Sequence, residues 1–123
     1  MLKEKKNIRI AETKVYCSIF LSEPSAPPTS VHAYGTNVTR IALFWEQVPY
    51  IHRNGIIVGY KAELNKMSGA LIETQTLDNT TFGTRFKNLV SFENYTVRVA
   101  ALTSVGVGPF TKQIRAQTWE EGK

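Results

Sequence analysis

The sequence predicts an all-β fold, a sandwich of seven strands in two antiparallel sheets. Three observations carry that prediction. Short runs with period-2 hydrophobic alternation recur every 8–12 residues or so, between turns rich in Gly, Asn and Pro. No segment shows a 3.6-residue apolar stripe bounded by helix caps. The 123 residues fit one domain of roughly 100–150. The inward-facing set is large enough for one core, each full burial contributing roughly 1.5–3 kcal/mol before entropy is subtracted.

Turn chemistry and alternation justify the elements in order. Pro24, Pro27 and Pro28 stiffen an extended lead-in, suited to a linker or a protected edge, and a first strand containing His32 follows. Val38–Val48 alternates: Ile41, Leu43 and Trp45 face one way, and Arg40, Ala42, Phe44 and Glu46 the other. Phe44 is the one blemish on that polar face. Pro49–Gly55 forms a loop ending in Asn54-Gly55, two residues that tolerate positive φ. Ile56–Leu64 resumes alternation, with Ile56, Val58, Tyr60, Ala62 and Leu64 on one face. Met67-Ser68-Gly69 turns the chain into Thr-rich Leu71–Leu77, an edge strand. Phe82–Leu89 is the next strand, anchored by Phe86 and Leu89. In Tyr95–Ala101, residues Tyr95, Val97, Val99 and Ala101 face in and Thr96, Arg98 and Ala100 face out. Thr103–Pro109 is a Gly-rich hairpin loop. Phe110–Thr118 closes the set, with Ile114, Ala116 and Thr118 sharing a face. Trp45, Tyr60, Leu89, Tyr95, Val97 and Val99 form the expected structural core.

Four features in this order make the chain resemble a fibronectin type III domain, an immunoglobulin-like β-sandwich. They are the Pro24–Pro28 lead-in, Trp45 with Pro49 soon after, the run Asn54–Tyr60 (NGIIVGY), and Leu89 followed by Tyr95–Ala101 and Gly106–Pro109. The likeness covers about residues 23–119. It implies a tyrosine corner at Tyr95, whose hydroxyl bonds to backbone just upstream, and a central tryptophan at Trp45. No Cys lies beyond Cys17, which disfavours the disulfide-bonded immunoglobulin type. The expected organisation is an N-terminal extension over 1–22, the domain over 23–119 and a linker over 120–123. Trp119, beyond the last strand, is expected to pack on this domain's end or on a neighbouring module.

Charge is concentrated at the N-terminus. Of the net +5, residues 1–14 carry +3: Lys3, Lys5, Lys6, Arg9 and Lys14 against Glu4 and Glu12. The remainder is nearly balanced, with no basic stripe and no interleaved aromatic platform, so nucleic acid is not an expected partner. Val15–Leu21 is a poor match to a secretory signal; its alternative is the last strand of a preceding domain. No apolar run is long enough for a membrane-spanning helix.

No catalytic residue, cofactor or metal is expected. The residues that could do chemistry are His32, His52 and Asp78, scattered over a strand and two loops, and no Gly-x-Ser-x-Gly or His-Glu-x-x-His occurs. The Gly106-x-Gly108-Pro109 loop is followed by no helix and so makes no phosphate cradle. A single Asp also argues against Asp-rich calcium loops. Three glycosylation sequons stand out, at Asn37, Asn79 and Asn94, where chance gives about one. Asn37 and Asn79 fall in turns; Asn94 has the alternative reading of a polar start to the sixth strand. Together they favour a secreted or ectodomain location.

Partner binding, on this reading, falls to two loops at one end of the sandwich, through Tyr50, His52, Arg53, Asn54, Val105 and Val107. Tyr and Arg are the residue types that dominate interfaces; the Gly and Pro nearby also satisfy hairpin geometry by themselves. The expected function is a non-catalytic protein-binding and spacer module of an extracellular or cell-surface multidomain protein. Its partners are proteins and neighbouring fibronectin type III domains. The alternatives are an intracellular structural module of a titin-like protein and an accessory domain of a secreted enzyme.

Overall fold

Alternation in strand β2 (Arg40–Glu46) sets the centre of the molecule. Ile41, Leu43 and Trp45 point into the core and are buried. The computed structural model describes residues 22–122, so Cys17 and Val15–Leu21 lie outside the described residues. Around β2 stand β1 (Thr29–Asn37), β3 (Gly59–Lys66), β4 (Leu71–Asp78), β5 (Gly83–Phe86), β6 (Asn94–Leu102) and β7 (Ile114–Gln117). All pairs are antiparallel, in one sheet of order β1-β2-β5 and another of order β4-β3-β6-β7. The fold is the expected seven-stranded sandwich. A single 3-10 turn at Tyr50–His52 is the only helical geometry among the described residues. No helix among them is long and apolar enough to cross a membrane.

The two inner faces meet on Trp45, Tyr60, Leu64, Phe86, Val97 and Val99. Trp45 lies 5.5 Å from Tyr60, and Tyr60 lies 5.6 Å from Phe82, in tilted aromatic pairs. That geometry suits ring quadrupoles better than a face-to-face sandwich. Tyr95 is buried, and its hydroxyl accepts a 2.9 Å hydrogen bond from the Val90 amide. Thr118 works from the other side: its hydroxyl donates to the Val90 carbonyl (2.7 Å) and accepts from the Glu93 amide (3.0 Å). The β5–β6 connection is therefore fixed to the core by two side chains.

Four inward and outward assignments need correction. Ile56 and Val58 are not core residues: β3 begins only at Gly59, and both side chains are exposed (80% and 49%). The chain between Gly55 and Gly59 is irregular, which resets the alternation, and Ile57 packs on the core instead. Ala42 and Ala100, read as outward, are fully covered. Each has a short side chain overtopped by longer cross-strand neighbours, Tyr34 and Arg85 for Ala42 and Lys61 for Ala100.

Both open sides of the sandwich are closed by contacts between edge strands of different sheets. On one side, Gln75 of β4 donates from Nε2 to the Arg85 carbonyl (3.0 Å) and accepts from the Thr84 hydroxyl. On the other, Gly35 of β1 lies so close to the Gln117 backbone that a Cβ would overlap its carbonyl oxygen. Just beyond, the Trp119 amide donates to the Asn37 carbonyl (3.0 Å), and its indole N–H donates to the Gly35 carbonyl (2.9 Å). Trp119 is thus bonded to β1 of this same domain, while its ring remains about half exposed (48%). Edge strands covered in this way offer fewer unpaired groups to other chains.

Candidate functional site

Three stretches of sequence converge at the end of the sandwich where β1 begins: residues 22–28, the β2–β3 loop and the β6–β7 loop. The first of these is bonded into both loops. The Ser22 amide donates to the Asn54 carbonyl (2.9 Å), the Ser25 amide to the His52 carbonyl (2.8 Å), and the Thr103 hydroxyl to the Ser22 carbonyl (2.8 Å). Pro24 is fully buried. It packs against Gly108, where a Cβ would stand 2.8 Å from the Pro24 ring, so the close approach requires glycine there. The proline-rich lead-in is a wedge between the loops.

The β2–β3 loop is shaped from within. Asn54 (φ 56°) and Gly55 (φ 151°) take the positive-φ geometry their types permit. Arg53 donates through Nε to the Val48 carbonyl (2.9 Å) and through Nη2 to Gln47 Oε1 (2.6 Å). The same guanidinium lies 5.5 Å from the centre of the Tyr50 ring, a cation–π arrangement. An open cleft of about 490 Å³ runs beside it, lined by Trp45, Glu46, Gln47, Val48, Pro49, Arg53 and Phe82.

The six candidate loop residues divide into two groups. Tyr50, Val105 and Val107 are displayed to solvent, Tyr50 at 82% exposure. His52, Arg53 and Asn54 are half-buried and hold the loops in shape. His52 Nδ1 meets the Ser25 hydroxyl at 3.1 Å, and Asn54 Nδ2 donates to the Glu23 carbonyl at 3.3 Å. The sequence reading missed two displayed residues. Ile51 (79% exposed) sits in the 3-10 turn beside Tyr50, and Ile56 is exposed because alternation had not yet begun. An apolar residue inside a Pro- and Gly-bounded loop is the signal that could have flagged Ile51.

Beneath this end, burial raises the pKa of the Tyr60 phenol, with the nearby Arg53 charge opposing the shift in part. A tyrosine whose folded value lies above its ordinary 10.0 keeps its proton where the unfolded chain has lost it, so stability falls as pH rises above about 10. The expected result is that Tyr60→Phe loses less stability than the parent between neutral pH and that range, measured by denaturation at stepped pH. Equal losses in the two proteins would contradict it.

The other sequence-identified residues lie apart. His32 is paired with Phe44 on the three-stranded sheet, and Asp78 ends β4 in the other sheet. Asp78 Oδ1 accepts from the Thr80 hydroxyl (2.7 Å), the Thr81 hydroxyl (2.7 Å) and the Thr80 amide (3.0 Å). Those bonds, that from the Thr80 hydroxyl first, hold its carboxyl below the usual range. No hydrogen bond joins any two of His32, His52 and Asp78, and no group of His, Cys, Asp and Glu able to hold a metal occurs among the described residues. Of the sequon residues, Asn37 ends β1, and its Oδ1 accepts from the Thr39 amide at 2.8 Å. Asn79 is exposed in the β4–β5 turn and donates from Nδ2 to the Ile57 carbonyl at 3.0 Å. Asn94 opens β6 and is half-buried. Outside the loops, Arg98 pairs with Glu63 (2.8 Å), its guanidinium 4.1 Å from the centre of the Phe110 ring.

Comparison with known proteins agrees with this architecture. Residues 26–117 match the family model for the fibronectin type III domain. Protein sidekick of Drosophila melanogaster is 38% identical over 102 residues, covering 80% of this chain and 4% of that protein. The human cell adhesion molecule DSCAM is 31% identical over 100 residues, covering 80% and 5%. The rat phosphatidylinositol phosphatase PTPRQ is 38% identical over 93 residues, covering 70% and 4%. The chain thus spans about one twentieth of the length of these relatives. Among solved structures, the third fibronectin III domain of human KIAA0343 protein superposes with a TM-score of 0.72 at 21% identity, covering 83% of this chain and 88% of that one. The FN1–FN3 domains of chicken CNTN1 superpose with a TM-score of 0.69 at 23% identity, covering 79% and 31%. These two likenesses are likenesses of fold.

Proposed function

The chain belongs to the fibronectin type III family, and we propose that this member is a non-catalytic protein-binding and spacer module of a cell-surface or secreted multidomain protein. The observation that carries the reading is the apolar group Tyr50, Ile51, Val105 and Val107, exposed on loops that the 22–28 segment braces from within. A surface already fixed in shape gives up little conformational freedom on binding. Exposed Tyr beside Arg is also the side-chain chemistry that anchors interfaces. The relatives of similar sequence include a named cell adhesion molecule, which supports an extracellular setting and protein partners, neighbouring modules of the same family among them. The sandwich supplies the spacing, and the loop end supplies the contact.

The test uses the full chain, secreted from eukaryotic cells and clustered on beads, against a panel of purified cell-surface ectodomains. Clustering is needed because single contacts of this size are weak and avidity multiplies them. Tyr50→Ala is expected to weaken the selected partner by about 30-fold, the scale of a hot-spot residue. A control substitution on the three-stranded face, Tyr34→Ser, should leave it unchanged. Binding that survives Tyr50→Ala and Ile51→Ser together, or no partner in the panel, would sink the reading.

A further inference from the structure

At the opposite end of the sandwich, where β7 gives way to Trp119, a second exposed ring stands beside a sequon. We propose that Asn94 carries an N-linked glycan whose first N-acetylglucosamine stacks on the Phe92 ring. The inference rests on the extracellular reading above, since only a chain passing through the secretory pathway meets the transferase.

Phe92 is 58% exposed and has φ 51°. A bulky residue in the left-handed region is an outlier, and such strain persists only where surrounding structure enforces it. Here the ladder does so: the Phe92 amide donates to the Trp119 carbonyl (3.0 Å), and the Glu93 amide donates to the Thr118 hydroxyl (3.0 Å). The result is an apolar ring displayed on a braced turn, and its own burial does not offset the strain. Two residues on is Asn94, the first residue of the Asn94-Tyr95-Thr96 sequon. Residues two apart in the chain have Cα atoms no more than about 7 Å apart, whatever the turn between them. That spacing suits a sugar ring lying over an aromatic ring. The C–H face of a pyranose is weakly positive and meets the negative face of the π system.

The three sequon asparagines differ in what their amides already do. Asn37 accepts from Thr39, and Asn79 donates to Ile57. The Asn94 side chain has no hydrogen-bond partner among the described residues. The Thr96 hydroxyl, on the same side of β6 as Asn94, is buried and likewise without a partner among them.

The covalent step uses a lipid-diphosphate-linked oligosaccharide as co-reactant. The Asn94 Nδ2 attacks C1 of the reducing-end N-acetylglucosamine. The Nδ2–C1 bond forms, the bond from C1 to the phosphate oxygen breaks, the lipid diphosphate leaves, and the amide gives up one proton. Tyr95, the middle residue of the sequon, is buried in the core, so the glycan projects from a fixed root.

The experiment secretes the full chain from eukaryotic cells and maps glycopeptides. A parallel variant keeps only this sequon (Asn37→Gln, Asn79→Gln). Asn94 is expected to be occupied. Trimming the glycan to a single N-acetylglucosamine should keep Tm about 4–8 °C above the Asn94→Gln form, and that gain should vanish with Phe92→Ala or Phe92→Leu. Because an exposed side chain is changed, both variants are expected to fold. Proton NMR of the trimmed form supplies a second readout: ring-current shifts of the first sugar should be present with Phe92 and absent with Phe92→Leu. Glycan on Asn37 or Asn79 but not on Asn94 would overturn the site and leave the proposed function standing. Occupancy at Asn94 with the same Tm gain in Phe92→Leu would overturn the stacking. Secretion with all three sequons bare would overturn both the inference and the glycoprotein character of the proposed setting.

Discussion

Trp45→Ala is expected to lower the free energy of unfolding by about 3–5 kcal/mol, the range for removing a large aromatic from a packed core. Trp45 is 3% exposed, stands on the inner face of the central strand β2 and packs 5.5 Å from Tyr60. Collapse around the vacancy is limited, because β2 is hydrogen-bonded on both sides, to β1 and to β5. One term works in the opposite direction. The indole Nε1 is buried and has no hydrogen-bond partner among the described residues, so part of the tryptophan's packing gain is offset by an unmade bond. Trp45→Phe, which removes the orphaned N–H and keeps a ring, should therefore be much milder than Trp45→Ala. Urea denaturation followed by far-UV circular dichroism measures both, with an unchanged m-value as the sign that the unfolded states are comparable. A near-neutral Trp45→Ala would show that the tryptophan is not central.

The second large effect is expected at Gly35, a residue with no side chain to lose. Gly35→Ala should destabilise by about 2–6 kcal/mol, combining overpacking of about 1–3 with two hydrogen bonds of about 0.5–1.5 each. A Cβ at that position overlaps the Gln117 carbonyl oxygen, which is backbone and cannot rotate away. Relief requires β1 to separate from the end of β7. That movement pulls apart the Trp119 amide from the Asn37 carbonyl and the Trp119 indole from the Gly35 carbonyl. The damage should be directional. Hydrogen exchange should accelerate at the Trp119 amide and indole while the Val97 and Val99 amides in β6 remain protected. Uniform acceleration, or none, would contradict a localised clash.

These two positions show what is legible in a sequence. Trp45 lies in a run whose alternation is local, so each inward residue can be read from its neighbours two places away. The same logic located β6 and the edge character of β4. It failed where regularity failed. Ile56 and Val58 have the right parity for the core, but parity has meaning only inside a strand, and the chain between Gly55 and Gly59 is not one. It also failed where the side chain was small. Ala42 and Ala100 are covered by the length of their cross-strand neighbours, and pairing is not written in the strand itself. At the loop end, the turn signal of Asn54-Gly55 was readable because it is conformational and local. The division of that loop into displayed Tyr50 and Ile51 and structural His52 and Arg53 was not, since it depends on Ser25 and Val48 arriving alongside.

By itself, then, the sequence determined the class of fold and the strand sequence, because β-alternation and turn chemistry act over two to four residues and leave a trace at that range. It also exposed the scatter of His32, His52 and Asp78. Only the tertiary structure decided how the sandwich is closed and which residues face a partner. Pro24 against Gly108 and Gly35 against Gln117 join positions far apart in the chain. Such contacts depend on how the sheets stack, and a glycine or proline that looks like punctuation in one dimension becomes a point of close packing in three.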